Sequence, residues 1–124
     1  MISCDTLSLS AYLRGKKGDD VEQVETALVT GQLALPPVVL TEILSDVLAG
    51  PMLDDLFAGL STLPLKDGYW IRAAHTRRRV RTGVFVPRTT QALVAQACID
   101  ADVPLITRDD EFRYFAQHCG LKLA

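Results

Sequence analysis

No apolar run in this sequence approaches the ~18 residues that a membrane span requires, and no basic segment at the N-terminus leads into a signal-peptide core. A soluble, cytoplasmic protein is therefore expected. Cysteine is scarce: Cys4, Cys98 and Cys119 are odd in number and show no CxxC spacing. Cys4 and Cys98 sit in apolar stretches, so buried free thiols are expected in place of a disulfide framework or a zinc site. The two histidines, His75 and His118, form no metal-ligand pair on spacing. Positive charge is not in excess either. A formal net charge of −2 excludes a generally basic nucleic-acid binder, so any such contact has to be local.

What remains is a globular chain of 124 residues, 48% hydrophobic and 23% charged, without repeats, low-complexity stretches or a dividing linker. That size suits one domain with one core. Met1 to Cys4 suits a buried strand ending at Asp5. Leu9 to Leu13 reads as a short helix stopped at Gly15. Asp19 and Asp20 favour a helix start, and Val21, Val24, Leu28 and Val29 keep helical spacing until Gly31. Leu33 to Leu35 is a strand with an extended exit forced by Pro36-Pro37. Helices over Val38–Leu48 and Met52–Leu60 follow, then a weaker strand at Leu63–Leu65. Tyr69 to Val80 reads as a helix with Trp70, Ile71, Ala74 and Val80 as core candidates. Val84–Val86 is a short extended piece. Thr89 or Thr90 is expected to cap a helix to about Ala101. Val103 to Ile106 is a buried strand, Thr107 begins a turn into a helix carrying Phe112, Tyr114 and Phe115, and Leu121–Leu123 closes as a strand. Strands alternating with helices predict a parallel sheet covered on both faces.

In open parallel sheets of this kind, ligands bind beyond the carboxyl ends of the strands. Asp5 and Asp109 stand there, and Glu42 lies in the helix after the Leu33–Leu35 strand. Three such acids can converge on one hard cation, because magnesium takes oxygen ligands. Without a cation, crowded carboxylates repel and the pKa of at least one rises. On spacing alone, solvated caps and surface acids are the better account of them. Two other classes lack their marks: no GxGxxG follows the first strand, and Leu7 stands where a haloacid-dehalogenase-like phosphatase would carry a second Asp.

Three segments carry a resemblance to a known family: Met1-Ile2-Ser3-Cys4-Asp5-Thr6 with Tyr12-Leu13-Arg14-Gly15, then Val38 to Leu44 around Glu42, then Leu105-Ile106-Thr107-Arg108-Asp109-Asp110-Glu111-Phe112. In order and separation they resemble the PIN-domain family, in particular the VapC-type ribonuclease toxins of type II toxin–antitoxin systems. The resemblance implies a single PIN domain over 1–124, a three-layer α/β/α fold around a parallel sheet of four or five strands. It implies a Mg2+- or Mn2+-dependent ribonuclease with Asp5, Glu42 and Asp109 as metal-holding catalytic acids, leaving 5′-phosphate and 3′-hydroxyl ends. It also implies a VapB-like antitoxin as partner and a homodimer. Thr6, Thr107, Arg108 and Glu111 are the substrate-binding candidates around those acids.

The sequence departs from that family in two places. Gln91-Ala92-Leu93-Val94-Ala95 stands where the family carries an acid at the head of a long helix, so Gln91 replaces a carboxylate. Its amide oxygen can face a metal or a bound water but brings no charge, so weakened metal binding and catalysis are expected. Leu7 replaces the usual Ser or Asn, and Ser8 beside it is a candidate to compensate. The alternative function is a non-catalytic PIN-like module that binds an antitoxin or RNA. Arg77, Arg78, Arg79 and Arg81 make a basic cluster suited to RNA phosphates or an acidic partner, or else a solvated helix end favoured by the dipole. Trp70 reads as a core anchor, Asp110 and Glu111 as first-turn helix acids, and Asp46 as a surface residue one turn after Glu42.

Overall fold

A computed structural model of the chain describes residues 1–46 and 50–124. Asp5, in extended conformation, takes the N–H of Ser8 on its side chain at 2.9 Å and so starts helix α1 (Thr6–Leu13) three residues ahead of the predicted Leu9. Helix α2 (Asp19–Val29) opens on Asp19, Asp20 and Glu22, acids that suit the positive end of the helix dipole. It runs out at Thr30, with Gly31 beyond it at a positive φ of 69°. Pro37 does not extend the chain as predicted; it occupies the first turn of α3 (Pro37–Leu44), where its missing N–H costs nothing. The helix ends at Leu44 with Ser45 as its C-cap, short of the predicted Leu48; Val47 and Leu48 lie outside the described residues. Helix α4 (Pro51–Ala58) likewise begins on a proline.

The strands are short and parallel. β1 (Ser3–Cys4) pairs with β4 (Leu105–Ile106), and β2 (Ala34–Leu35) pairs with β3 (Ser61–Thr62). Isolated parallel bridges join Ile2 to Leu33 and Leu105 to Leu123. The α/β class and the parallel direction are as predicted. Among the described residues the strand pairing gives two parallel sheets of two strands each. β3 lies just before the predicted Leu63–Leu65 strand, and Leu63 is buried directly after it. Val84–Val86 does not form a strand, because Thr82 accepts the N–H groups of Val84 and Phe85 on its hydroxyl and ties this stretch into a turn.

Helix α5 (Tyr69–Val80) buries Tyr69, Ala73 and Val80, with Thr76 half-buried between them. That stripe keeps helical spacing but begins one residue earlier than the predicted one, which rotates the inward face by about 100°. Trp70, Ile71 and Ala74, predicted to be core, are therefore exposed; only Val80 of that set is buried. Helix α6 (Thr89–Ala101) is capped by Arg88 rather than by Thr89 or Thr90, and ends on Asp102 in the left-handed region. Helix α7 (Phe112–Cys119) sends Phe112 and Phe115 inward. The core gathers on the strands: Leu35, Leu105 and Ile106 meet Leu9, Val39 and Phe115, all without exposure. Cys4 and Cys98 are buried free thiols as predicted. Among the described residues no helix is long and apolar enough to cross a membrane.

Candidate acidic site at the ends of β1 and β4

Because β1 and β4 run in parallel and in register, their carboxyl ends leave the sheet together. Asp5 follows one end and Thr107 the other, and Thr107 Oγ1 donates to Asp5 Oδ2. Asp5 therefore serves as the cap of α1 on one oxygen and as the partner of the β4 turn on the other. Its residue is only 4% exposed. Burial pushes its carboxyl above the ordinary range, against the hydrogen bonds from Thr107 and Ser8, and the charge of Asp109 adds to the rise.

The turn after β4 is held by its own side chains. Thr107 Oγ1 accepts the N–H of Asp109 at 2.9 Å, and Asp109 Oδ1 accepts the N–H of Glu111 at 3.0 Å. These two links, Thr107 to Asp109 and Asp109 to Glu111, hold the acids of the turn in one arrangement. From the other side, α3 brings Glu42, whose Oε1 accepts from Thr6 Oγ1 at 2.7 Å. Asp5, Thr6, Glu42, Gln91 and Asp109 line one cavity of ≈ 110 Å³. The three acids singled out in the sequence thus share one space, although 37 and 67 residues separate successive members.

Gln91 sits in the first turn of α6 and is 2% exposed. Its Oε1 accepts the backbone N–H of Arg88 at 2.8 Å, a bond only the carbonyl end of the amide can make. Nε2 must then point the other way, where it donates to Asp109 Oδ2 and Glu111 Oε1, each at 3.0 Å. The sequence predicts a metal- or water-facing amide oxygen here. The capping bond to Arg88 turns that oxygen to the backbone and presents amide protons to the acids instead.

Arg88 completes the arrangement. Its Nη2 lies 3.1 Å from Asp109 Oδ2, and its side chain is 62% exposed at the rim of the cavity. Sequence reasoning missed this residue. Its signal is its place three residues before Gln91: as the N-cap of α6 it has a backbone N–H that the side chain of the third helical residue can accept.

Other candidates fall away from the cavity. Arg108 turns outward and grips Asp20 with two hydrogen bonds of 2.8 and 3.0 Å, holding the Asp20 carboxyl below its usual range. Leu7, rather than Ser8, lines the cavity; Ser8 is buried with an unpartnered Oγ and does not replace it. Asp46 pairs with Arg14 at the surface, 3.1 Å apart.

The donor set at the cavity, three carboxylates from separate elements, is the all-oxygen chemistry that a hard divalent cation takes. Positive charge at this place is supplied by the Arg88 guanidinium, and Gln91 adds neutral amide donors. As the side chains stand, no group of three or more acidic, histidine or cysteine residues among the described residues is drawn together into a ligand cluster. The residue types therefore fit such an ion, and the conformation seen holds them apart. No protein-family model and no characterised protein sequence matches the chain.

Proposed function

We propose that the chain is a PIN-type ribonuclease of the VapC kind, attenuated at Gln91. The observation that carries this reading is the convergence of Asp5, Glu42 and Asp109 on one cavity at the carboxyl ends of parallel strands. The bridges Ile2–Leu33 and Leu105–Leu123 support reading the two strand pairs as parts of one parallel sheet with helices on both faces, the three-layer form of that family. Asp5, Glu42 and Asp109 would hold magnesium or manganese, which when bound supplies an activated water for in-line attack on a phosphodiester and offsets charge on the phosphate oxygens.

The chain's own residues do the positioning. Thr107 holds Asp5 and the Asp109 backbone in one unit, so the two acids keep a constant separation. Thr6 holds Glu42 against the mouth of the cavity. Arg88, exposed at the rim, is placed to leave Asp109 for a substrate phosphate, since guanidinium binds either anion in the same fork geometry. Gln91 works against catalysis: it removes one negative charge and ties up Asp109 and Glu111 with its amide protons. A VapB-like antitoxin and a second copy of the chain are the partners this reading brings.

The orientation of Gln91 also favours a second reading, a PIN-like module that binds antitoxin or RNA without cutting. Cleavage of a mixed RNA pool in magnesium or manganese separates the two. The chain is compared with its Gln91→Asp variant, with Glu42→Gln in the variant background as control. A large gain in Gln91→Asp, abolished by chelation and by Glu42→Gln, is the expected result. A folded Gln91→Asp protein that cuts nothing would leave only the binding module.

A further inference from the structure

Helix α5 carries four arginines and no acid. Between it and the first turns of α6 runs a groove of ≈ 440 Å³, floored by Ala73 and Ala92 and walled by Trp70, Arg77, Arg78 and Arg81. No acidic residue lines it. Trp70, the chain's only tryptophan, is 64% exposed there, its indole braced edge-on against Tyr69 at 5.0 Å. Arg78 and Arg81 are exposed and make no ion pair among the described residues. Arg77 donates Nε to the carbonyl of Pro87 at 2.8 Å, fixing the segment that leads into α6. An exposed indole and three arginines concentrated on one groove of a chain with net charge −2 call for an anionic occupant.

The groove and the acidic cavity share a wall. Thr89 and Ala92 face the groove, while their neighbours Arg88 and Gln91 face the cavity. Only the first turn of α6 separates the two. We infer that this groove seats a single RNA strand next to the acidic cavity, with a base stacked on Trp70 and phosphates on Arg78 and Arg81. This rests on the ribonuclease reading for why a strand should lie there. A basic groove with an aromatic platform is the common means of holding single-stranded nucleic acid without sequence preference.

A second copy fits less well. In a two-fold dimer the patch would meet itself and oppose arginine to arginine. An acidic peptide is the remaining competitor, and the titration below separates it from RNA.

The sole tryptophan makes the test direct. The full-length chain in EDTA is titrated with a fluorescein-labelled oligoribonucleotide of about 12 nucleotides, following both anisotropy and Trp70 emission. Saturable quenching of Trp70 that tracks the anisotropy is expected. Trp70→Ala should weaken binding roughly tenfold, the loss of one base–aromatic stack. Arg78→Ala/Arg81→Ala should lower the slope of log affinity against log salt by about 1.4, from two lost phosphate contacts on a single strand. RNA that binds without quenching, with affinity and salt slope unchanged in these exposed-site variants, would overturn the groove. So would equal quenching by polyglutamate at the same salt, which would assign the groove to an acidic peptide. So would a concentration-dependent mass with a Trp70 emission change and no RNA present, which would assign it to a second copy. The two readings fail separately. If Gln91→Asp cuts RNA while the groove variants keep its KM, the groove is wrong and the nuclease stands. If RNA quenches Trp70 but Gln91→Asp cuts nothing, the groove stands and the nuclease fails.

Discussion

Replacing Gln91 with Asp should destabilise the metal-free protein and make its stability depend on divalent ions. The substitution deletes the amide that donates to Asp109 and Glu111 at 3.0 Å and puts a carboxylate in its place. A hydrogen bond to a charged group contributes about 1.5–3 kcal/mol. Glu111 is exposed and water will replace its lost donor, whereas Asp109 keeps Arg88. The loss therefore comes mainly from one bond plus repulsion of the new charge by Asp109, about 3 kcal/mol together. For a domain of this size that lowers Tm by roughly 10–15 °C. A divalent ion that binds only the folded variant with Kd of about 0.1 mM would return about 2.7 kcal/mol at 10 mM, from RT ln(1 + [L]/Kd). Thermal melts of the chain and the variant in EDTA, magnesium and manganese read both effects. A variant that melts with the parent in EDTA, or gains no more from magnesium than the parent does, would refute the role given to Gln91.

Arg108→Ala should lower stability slightly at pH 7 by releasing Asp20 from its bidentate partner. Arg108 holds the folded Asp20 carboxyl below its ordinary 3.8, so this stability is present above that value and lost as pH falls through the lower folded one. The gap in urea midpoints between the proteins should be full at pH 7 and shrink progressively as pH falls below 3.8; a gap that does not change with pH would exclude the ion pair as its source. Phe115→Ala, at a fully buried position, should cost about 3–5 kcal/mol in urea unfolding. A loss under about 1 kcal/mol would mean the core is not packed around α7. Burial pushes the Cys98 thiol up to about 12 and Cys4 higher still, so neither should react with a disulfide reagent in the native state. Labelling of either at the rate seen in urea would contradict their burial.

Asp5, Glu42 and Asp109 were legible as candidates because each follows an apolar stretch closely, and chain order puts Asp5 and Asp109 just past strand ends. β1, β2 and β4 were legible as buried apolar runs, and α2 and α6 by their spacing and their stops; β3 was not, because Ser61–Thr62 is polar and exposed. The face of α5 was not. Its apolar residues fall on two adjacent stripes, and only packing against α6 and α7 selects the one through Tyr69, Ala73 and Val80. The consequence is large, since it brings Trp70 out of the core and into a groove with Arg78 and Arg81.

Residue chemistry and local order by themselves determined that the chain is α/β, that its cysteines are unpaired, and that a glutamine stands among its acids. Those properties depend on side-chain type and on periods of a few residues. Which end of the Gln91 amide meets Asp109 was decided only in three dimensions, by the free N–H of Arg88 at the start of α6. So was the partner of Arg108, because Asp20 lies 88 residues away in the chain and within hydrogen-bond reach in space. Contacts between residues so far apart depend on how helices dock on the strands, which no local spacing encodes.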